Sequence, residues 1–157
     1  MKVITKIRLL ILFFIVALIL SGVTAFPVQT ELHWLLNHPS LIPSFTQHWL
    51  QIVYDALLET NNKFPMLAYG FDWLAFAHIV IAMAFIGPLK EPVKNKWIID
   101  WAIIACIAVI PLAFIAGPIR QIPLFHILID CSFGILGLIP LFICRNWIRQ
   151  LEKIKPL

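Results

Sequence analysis

The sequence predicts an all-α integral membrane protein, a bundle of four transmembrane helices with an amphipathic outer helix between the first and second spans. Composition, hydropathy and the positions of the basic residues support this prediction. Of the 157 residues, 61% are hydrophobic and 13% are charged, and the mean hydropathy is +0.93. A soluble domain of this length carries roughly twice that share of charged residues. We therefore expect a single membrane domain over residues 1–157.

Four apolar segments are long enough to cross a bilayer core, which takes about 20 residues of helix. We predict these spans over residues 7–26, 68–88, 97–117 and 123–144. The second and third each end at a Gly-Pro pair, which is a common helix stop. The first also resembles a cleavable secretory signal, because small residues at 23–25 follow its apolar run. We interpret it as an uncleaved anchor; cleavage would leave three spans with unchanged orientation.

Lysine and arginine residues set the expected orientation, since they accumulate on the cytoplasmic side of membrane proteins. Of the twelve basic residues, only Lys63 and Arg120 lie on the opposite set of flanks. We therefore expect a multi-pass protein of the cell inner membrane with both termini in the cytoplasm. Residues 27–67 and 118–122 are expected on the outer side. The expected cytoplasmic basic residues are Lys2, Lys6, Arg8, Lys90, Lys94, Lys96, Arg145, Arg149, Lys153 and Lys155.

The outer segment, residues 27–67, is not expected to be a plain loop. Residues 44–47 read Ser-Phe-Thr-Gln, which fits a capping box at a helix start. Apolar side chains then recur at helical spacing, which predicts an amphipathic helix over residues 45–59. Its polar face is acidic, so we expect it to cover the outer mouth of the bundle instead of binding anionic lipid. A shorter helix is predicted over residues 28–37.

Two ionisable residues interrupt the apolar fourth span. His126 and Asp130 are four residues apart and therefore lie on one face of a helix. The same face continues through Gly134 and Gly137, whose small size lets helix backbones approach. Ionisable side chains at the centre of a span cost roughly 2.5–3.5 kcal/mol each and seldom face lipid. The pair is therefore expected to point into the bundle.

His78 of the second span is the expected partner of this pair. Its helical neighbours Ala75 and Ala82 mark another close-packed face. At about 1.5 Å of rise per residue, His78 lies roughly 13 Å and Asp130 roughly 10 Å below the outer surface, whereas His126 lies only about 5 Å deep. His78 and Asp130 are thus level, and we predict a hydrogen bond between them.

Asp72 and Arg120 lie nearer the outer surface, and we predict both as ligand-binding residues. With the deeper residues they would form a polar pocket that opens outward between the second and fourth spans. His78, Asp130 and His126 are the candidate catalytic residues, because a histidine polarised by a carboxylate is a common general base. Arg120 suits a phosphate or a carboxylate. No serine motif such as GxSxG is present, so no nucleophile is identified.

Three other interpretations of the cluster stay open. In a structural protein, the His–Asp pair would only fix helix packing. A b-type haem between His78 and His126 fits the residue types, but their depth difference of roughly 8 Å opposes it. His78, His126 and Asp130 form a chemically reasonable two-His, one-carboxylate metal set. No HExxH motif supports that set, so no metal is predicted and the cofactor stays unknown.

The remaining polar residues of the spans have structural roles in this interpretation. Cys106, Cys131 and Cys144 lie within spans and form no CxxC pair, which excludes the four-span proteins that oxidise thiols. Buried cysteines usually behave as small apolar residues. Asp100, at the cytoplasmic end of the third span, is expected to face the headgroups or to pair with Lys96, four residues earlier.

The sequence thus predicts a protein that binds a small ligand or a lipid headgroup from the outer leaflet, with catalysis as an extension. The alternative is a structural subunit of a larger membrane complex that has no chemistry of its own. Expected partners are the lipid bilayer and either another membrane protein or further copies of the chain. Nucleic acid is not expected, because the net charge of +4 is spread over short flanks instead of one face.

Overall fold

The computed structural model describes residues 3–154, and every regular element within them is helical. Lys2 and Lys155 of the basic flanks lie outside the described residues. The helices are α1 (Val3–Ala25), α2 (Val28–Leu36), α3 (Ser44–Lys63), α4 (Pro65–Ala84), α5 (Ile86–Lys90), α6 (Lys96–Ile119) and α7 (Leu124–Ile154), and a 3₁₀ turn covers Pro39–Leu41.

Among these residues, four helical segments are long and apolar enough to cross a membrane: Val3–Ala25, Pro65–Lys90, Lys96–Ile119 and Leu124–Lys153. Each coincides with one predicted span, so the prediction of an all-helical chain with four candidate spans is confirmed. α4 and α5 together make the second segment. α7 continues beyond the predicted end at residue 144, because the arginine, glutamine and glutamate residues that follow are good helix formers.

The Gly-Pro pairs do not end the helices, so that part of the prediction is wrong. Gly87 and Pro88 lie in the first turn of α5, where a missing proline N–H leaves no hydrogen bond unmade. α6 continues through Gly117 and Pro118 to Ile119. What ends α6 is a turn at the next residues, which also shapes the candidate site described below.

The chain divides into two compact units. The middle unit is Val16–Ala82, and the hairpin unit is Met1–Ile15 together with Met83–Leu157. Residues 3–15 of α1 therefore belong to the hairpin unit, and residues 16–25 belong to the middle unit. Each unit contains its own packed helices.

In the hairpin unit, α6 and α7 form the most extensive helix pair. A Cβ atom at Gly134 would lie 2.7 Å from the carbonyl oxygen of Cys106, and one at Gly137 would lie 3.1 Å from Cys106 Sγ. The two backbones approach closely because these positions carry no side chain. The prediction that Gly134 and Gly137 face a neighbouring helix is confirmed, and the neighbour is α6. Buried side chains of the pair are Ile98, Ile99, Ala102, Ile103, Ile127, Cys131, Leu141, Cys144 and Ile148.

Ion pairs join α6 and α7 at the end where α6 begins. Arg145 Nε lies 2.5 Å from Asp100 Oδ1, and Lys96 Nζ lies 2.6 Å from Glu152 Oε1. The predicted pair of Asp100 with Lys96 is therefore wrong. Each residue finds its partner on the facing helix, where the pair is more shielded from solvent than a pair along one helix would be.

The start of α1 is fixed to the same unit by polar contacts. Arg8 donates hydrogen bonds to the carbonyl oxygens of Leu89, at 3.2 Å, and Lys90, at 3.3 Å. These carbonyls belong to the last turn of α5, where helix carbonyls lack partners and attract cations. Lys6 Nζ lies 5.7 Å from the ring centre of Trp147. Arg8 thus serves as a side-chain cap for α5.

In the middle unit, α1 packs closely on α4. A Cβ atom at Gly22 would lie 2.7 Å from the carbonyl oxygen of Ala75, and Ala75 and Ala82 are both buried. The prediction that these alanines mark a close-packed face is confirmed. α2 packs on α3, where the Asn61 side-chain amide donates a hydrogen bond to Gln29.

The two helices of the outer segment form close to their predicted positions. α2 ends one residue before the predicted limit of 37, and α3 is longer than the predicted 45–59. The predicted capping box is wrong, because the N-cap of α3 is Pro43 and no side chain caps it. Proline fixes a backbone angle suited to a helix start, so Ser44 is already helical. Gln47 donates instead to the carbonyl oxygens of Pro39 and Ile42, each at 3.2 Å.

Candidate functional site

A groove on the hairpin unit brings two of the predicted site residues together. Its volume is about 360 Å³, and its walls come from α6, α7 and the turn between them. Apolar side chains make most of the wall, and Arg120 and Asp130 are the charged residues among those that line it. The lining residues are Val109, Leu112, Ala113, Ala116, Gly117, Arg120, Ile122, Ile127 and Asp130.

The turn after α6 fixes the position of Arg120. Arg120 is the C-cap residue of α6. Gln121 follows in the left-handed conformation, with φ 57°. Its N–H donates to the Pro118 carbonyl at 3.1 Å, and the Ile122 N–H donates to the Gly117 carbonyl at 2.9 Å. These two bonds define a Schellman motif, which is usually built on glycine. The hydrogen-bonded turn therefore fixes the backbone conformation at Arg120, which lines the groove.

The Arg120 side chain is exposed, and within the described part of the hairpin unit it has no ion-pair or hydrogen-bond partner. Arginine in an apolar setting normally finds a carboxylate or a carbonyl oxygen. A guanidinium without such a partner keeps its full set of donors for an anion from outside the chain. Arg120 is thus the feature of the groove that most favours a ligand.

Asp130 lies beside His126 on α7, as their spacing predicts. His126 Nε2 is 3.8 Å from Asp130 Oδ1, and the two side chains are 39% and 47% exposed. The distance exceeds that of a hydrogen bond, which ends near 3.2 Å for nitrogen and oxygen. The two groups therefore interact by charge when the imidazole is protonated, and the carboxylate keeps its lone pairs for a donor in the groove.

His78 lies on α4 in the middle unit. Its Nδ1 is 2.8 Å from the carbonyl oxygen of Leu74, one turn earlier. A carbonyl only accepts, so Nδ1 carries a proton and donates it, which leaves Nε2 as the lone-pair nitrogen of the neutral ring. Nε2 is therefore the atom of His78 that can act as a base or a ligand.

The five predicted site residues divide between the two units. Arg120, His126 and Asp130 belong to the hairpin unit, and His78 and Asp72 to the middle unit. The predicted hydrogen bond between His78 and Asp130 joins one unit to the other and stays a prediction. In the hairpin unit, Arg120 and Asp130 line one groove, and its walls are the third and fourth candidate spans.

Asp72 lines a different pocket, which the sequence analysis missed. Its volume is about 340 Å³, and its lining residues are Phe26, Tyr69, Asp72, Trp73 and Phe76. Tyrosine and tryptophan are common at membrane surfaces, and this accounts for Tyr69 and Trp73 without a pocket. The available signal was their spacing, since positions 69, 72, 73 and 76 share one face of a helix. Phe26 comes from a separate helix end and had no such signal.

The remaining reactive groups add little to these two pockets. Ser132 Oγ donates to the Ile129 carbonyl at 2.6 Å and is thereby held against its own helix. All three cysteines are free thiols. Within residues 3–154, no group of three or more His, Cys, Asp or Glu side chains is placed to hold a metal ion, so the metal hypothesis gains no support.

The lining of the groove combines charged and aliphatic side chains. Arg120 and Asp130 supply a cation and a carboxylate, and the other lining side chains are aliphatic. Such a surface suits a molecule with a polar head and an apolar tail. No protein-family model, no curated protein and no solved structure matches the chain.

Proposed function

We propose that the chain is a small multi-pass protein of the cell inner membrane that binds a lipid headgroup or a small anionic ligand in the groove between α6 and α7. The observation that carries this proposal is that the unpaired Arg120 lines the same groove as Asp130, on an otherwise aliphatic surface. The ligand class is a phosphate- or carboxylate-bearing compound, and a phospholipid satisfies both the charged and the apolar parts of the groove.

The guanidinium of Arg120 is suited to an anionic head, because its planar fork matches the oxygens of phosphate and carboxylate. Asp130 accepts a hydrogen bond from a hydroxyl or ammonium group of the same head. The aliphatic side chains of Leu112, Ala116 and Ile127 supply the surface along which an acyl chain lies. Each part of an amphiphile thus meets a matching part of the groove.

The proposed orientation follows from the basic residues. Ten of the twelve occupy flanks that the positive-inside rule assigns to the cytoplasm. The turn with Arg120 then faces outward, so the ligand enters from the outer leaflet. In the same orientation, α3 lies on the outer side of the membrane.

Catalysis is a second candidate function, and the contact of His126 with Asp130 favours it. A carboxylate near an imidazole orients the ring and stabilises its protonated form, which makes histidine an effective general base. His126 would then take a proton from water or from a hydroxyl of the bound head. No hydroxyl or thiol side chain lines the groove, and in this proposal the attacking group comes from the substrate or from water.

The test is to purify the chain in a maltoside detergent and to identify bound lipid by mass spectrometry. We expect a phosphate-bearing lipid with the natural chain, and its loss with Arg120→Gln. Arg149→Gln is the matched control, because Arg149 is also exposed but lies outside the groove. Delipidated protein is then titrated with inorganic phosphate and, separately, with short-chain phospholipid, to distinguish a free anion from a lipid head. Equal lipid content and equal titrations in both variants would favour the structural subunit instead.

A further inference from the structure

A second pocket, in the middle unit, has the composition of a cation site. Four aromatic side chains, Phe26, Tyr69, Trp73 and Phe76, line about 340 Å³ together with a single carboxylate, Asp72. The last four lining residues lie on one face of α4, and Phe26 follows the end of α1. The pocket therefore combines one face of α4 with an aromatic side chain from the segment that follows α1.

The rings of Tyr69 and Phe76 each lie at right angles to that of Trp73. The ring centres of Tyr69 and Trp73 are 6.0 Å apart with an interplanar angle of 88°. Those of Trp73 and Phe76 are 6.3 Å apart, also at 88°. Perpendicular rings turn faces in different directions, and an aromatic face is the negative part of the ring's charge distribution. All four rings are about half exposed, so they keep free surface for a ligand.

The charge of the pocket is negative and uncompensated. Within the middle unit, Asp72 has no ion-pair or hydrogen-bond partner, in contrast to Glu59, which pairs with Lys63 at 2.7 Å. The pocket also adjoins Phe26, directly after the last residue of α1. The C-terminal end of a helix carries a partial negative charge. A carboxylate, aromatic faces and a helix C-terminus all attract a cation.

An interfacial aromatic belt explains part of this arrangement, since tyrosine and tryptophan favour the membrane surface. It does not explain Asp72. A belt has no need of a carboxylate between its rings, and an unpaired acid beside four aromatic side chains lowers the affinity of the surface for lipid tails. A ligand with a positive charge and an apolar surface accounts for both features at once.

We propose that this pocket binds a quaternary ammonium group of the choline type. Such a group has no N–H donors, so it needs no ring of acceptors, and its methyl groups fit against aromatic faces. A primary ammonium would leave donors unsatisfied, because Asp72 supplies the only carboxylate among the lining residues. The cation can be a free solute or the headgroup of a lipid. This site is separate from the Arg120 groove and does not depend on the function proposed for it.

The test is an isothermal titration of the purified chain with tetramethylammonium chloride in maltoside detergent at constant ionic strength. Trp73→Leu should weaken binding about tenfold, through loss of a cation–π contact. Asp72→Asn should weaken it about fivefold, through loss of one charge. The controls are Trp97→Leu, an exposed tryptophan of α6, and Asp55→Asn, an exposed acid of α3, and both should bind as the natural chain does.

The neutral isostere 3,3-dimethylbutan-1-ol separates cation binding from plain apolar binding. We expect choline to bind and the isostere not to compete with it. Equal affinity for the two, or Trp73→Leu and Asp72→Asn variants that bind tetramethylammonium as tightly as the controls, would overturn the proposal. If circular dichroism shows that Trp73→Leu has lost its helices, Tyr69→Leu replaces it with the same expectation.

The source of the cation is decided by competition. Micelles doped with short-chain phosphatidylcholine are compared with micelles doped with the corresponding diacylglycerol, which lacks the head. If only phosphatidylcholine displaces tetramethylammonium, the occupant is a lipid headgroup. If neither displaces it, the occupant is a free quaternary ammonium compound. Absence of saturable tetramethylammonium binding in every micelle contradicts the site itself.

Discussion

Arg145 of α7 and Asp100 of α6 form an ion pair across the helix hairpin, with Nε 2.5 Å from Oδ1 and side chains only 28% and 32% exposed. Both of these atoms are buried, and within the described residues neither has a hydrogen-bond partner with acceptable geometry. The contact is therefore a close charge pair, and its attraction is screened less than that of a surface pair.

Breaking this pair should destabilise the chain. Asp100→Asn or Arg145→Gln leaves the other charge partly buried without a partner, and we expect a loss of about 1–3 kcal/mol in the free energy of unfolding. The double variant should recover part of that loss, because residues in contact are coupled. Thermal unfolding in detergent measures the cycle. The control is Lys94 with Glu91, whose side chains are both 57% exposed and should contribute at most about 1 kcal/mol. Equal losses of stability from the two pairs would contradict the conclusion that the shielded pair of Asp100 and Arg145 is the stronger one.

Gly134→Ala tests the packing of α7 on α6. Gly70→Ala, in α4, is its control and is expected to have the opposite effect on stability. Gly134→Ala places a Cβ atom 2.7 Å from the Cys106 carbonyl oxygen, so the helices must separate. We expect a cost of about 1–3 kcal/mol, as for overpacking in a core. Gly70→Ala meets nothing within 4 Å, and should be neutral or stabilise the helix by up to about 1 kcal/mol. The measurement is the unfolding midpoint of each variant. A Gly134→Ala chain as stable as Gly70→Ala would mean that α6 and α7 do not touch there.

The turn at Gln121 predicts a stabilising substitution. A non-glycine residue in the left-handed region is strained by about 1–2 kcal/mol, so Gln121→Gly should raise the free energy of unfolding by about 1 kcal/mol. Gln121→Val should lower it, because a β-branched side chain fits this conformation poorly. Gln150→Gly is the control with the opposite sign, since Gln150 lies inside α7 and glycine there costs about 1 kcal/mol. Destabilisation by Gln121→Gly would argue against the left-handed turn.

The proposed orientation has a direct test with reporter fusions. Fusions after Lys96 and after Leu157 should report the cytoplasm, and a fusion at Asn61 should report the external side. The physical reason is the ten-to-two distribution of basic residues. In a chain with Lys90, Lys94 and Lys96 changed to glutamine, the fusion after residue 96 should report the cytoplasm less strongly. An external C-terminus in the natural chain would rule out four spans with both ends inside.

The sequence was sufficient for features that depend on local patterns. Hydropathy located the four candidate spans, because about 20 apolar residues in a row have few alternatives to a long helix. The spacing of Gly134 and Gly137 located the packing face of α7. Helix α2 was predicted to within one residue, because its boundaries lie at proline and asparagine.

The sequence failed where the outcome depends on residues far apart in the chain. Asp100 had a plausible partner four residues away, but the facing helix supplied Arg145, which no local pattern indicates. The stop of α6 was assigned to Gly117-Pro118, because glycine is the usual left-handed residue, whereas Gln121 adopts that conformation. The aromatic pocket needs Phe26 from another helix. The groove of Arg120 and Asp130 required the geometry of a turn that the residue types do not encode.

The length of α7 has a consequence for membrane thickness. Its 31 residues span about 46 Å at 1.5 Å per residue, whereas a hydrocarbon core is about 30 Å thick. In the proposed four-span topology, the apolar part of α7 up to Cys144 matches that core without tilt, and the part that begins with Arg145 continues beyond it. A thicker bilayer would draw this arginine into hydrocarbon, at a cost of about 2.5–3.5 kcal/mol. For this topology we expect the protein to be retained in thin membranes and disfavoured in thick ones.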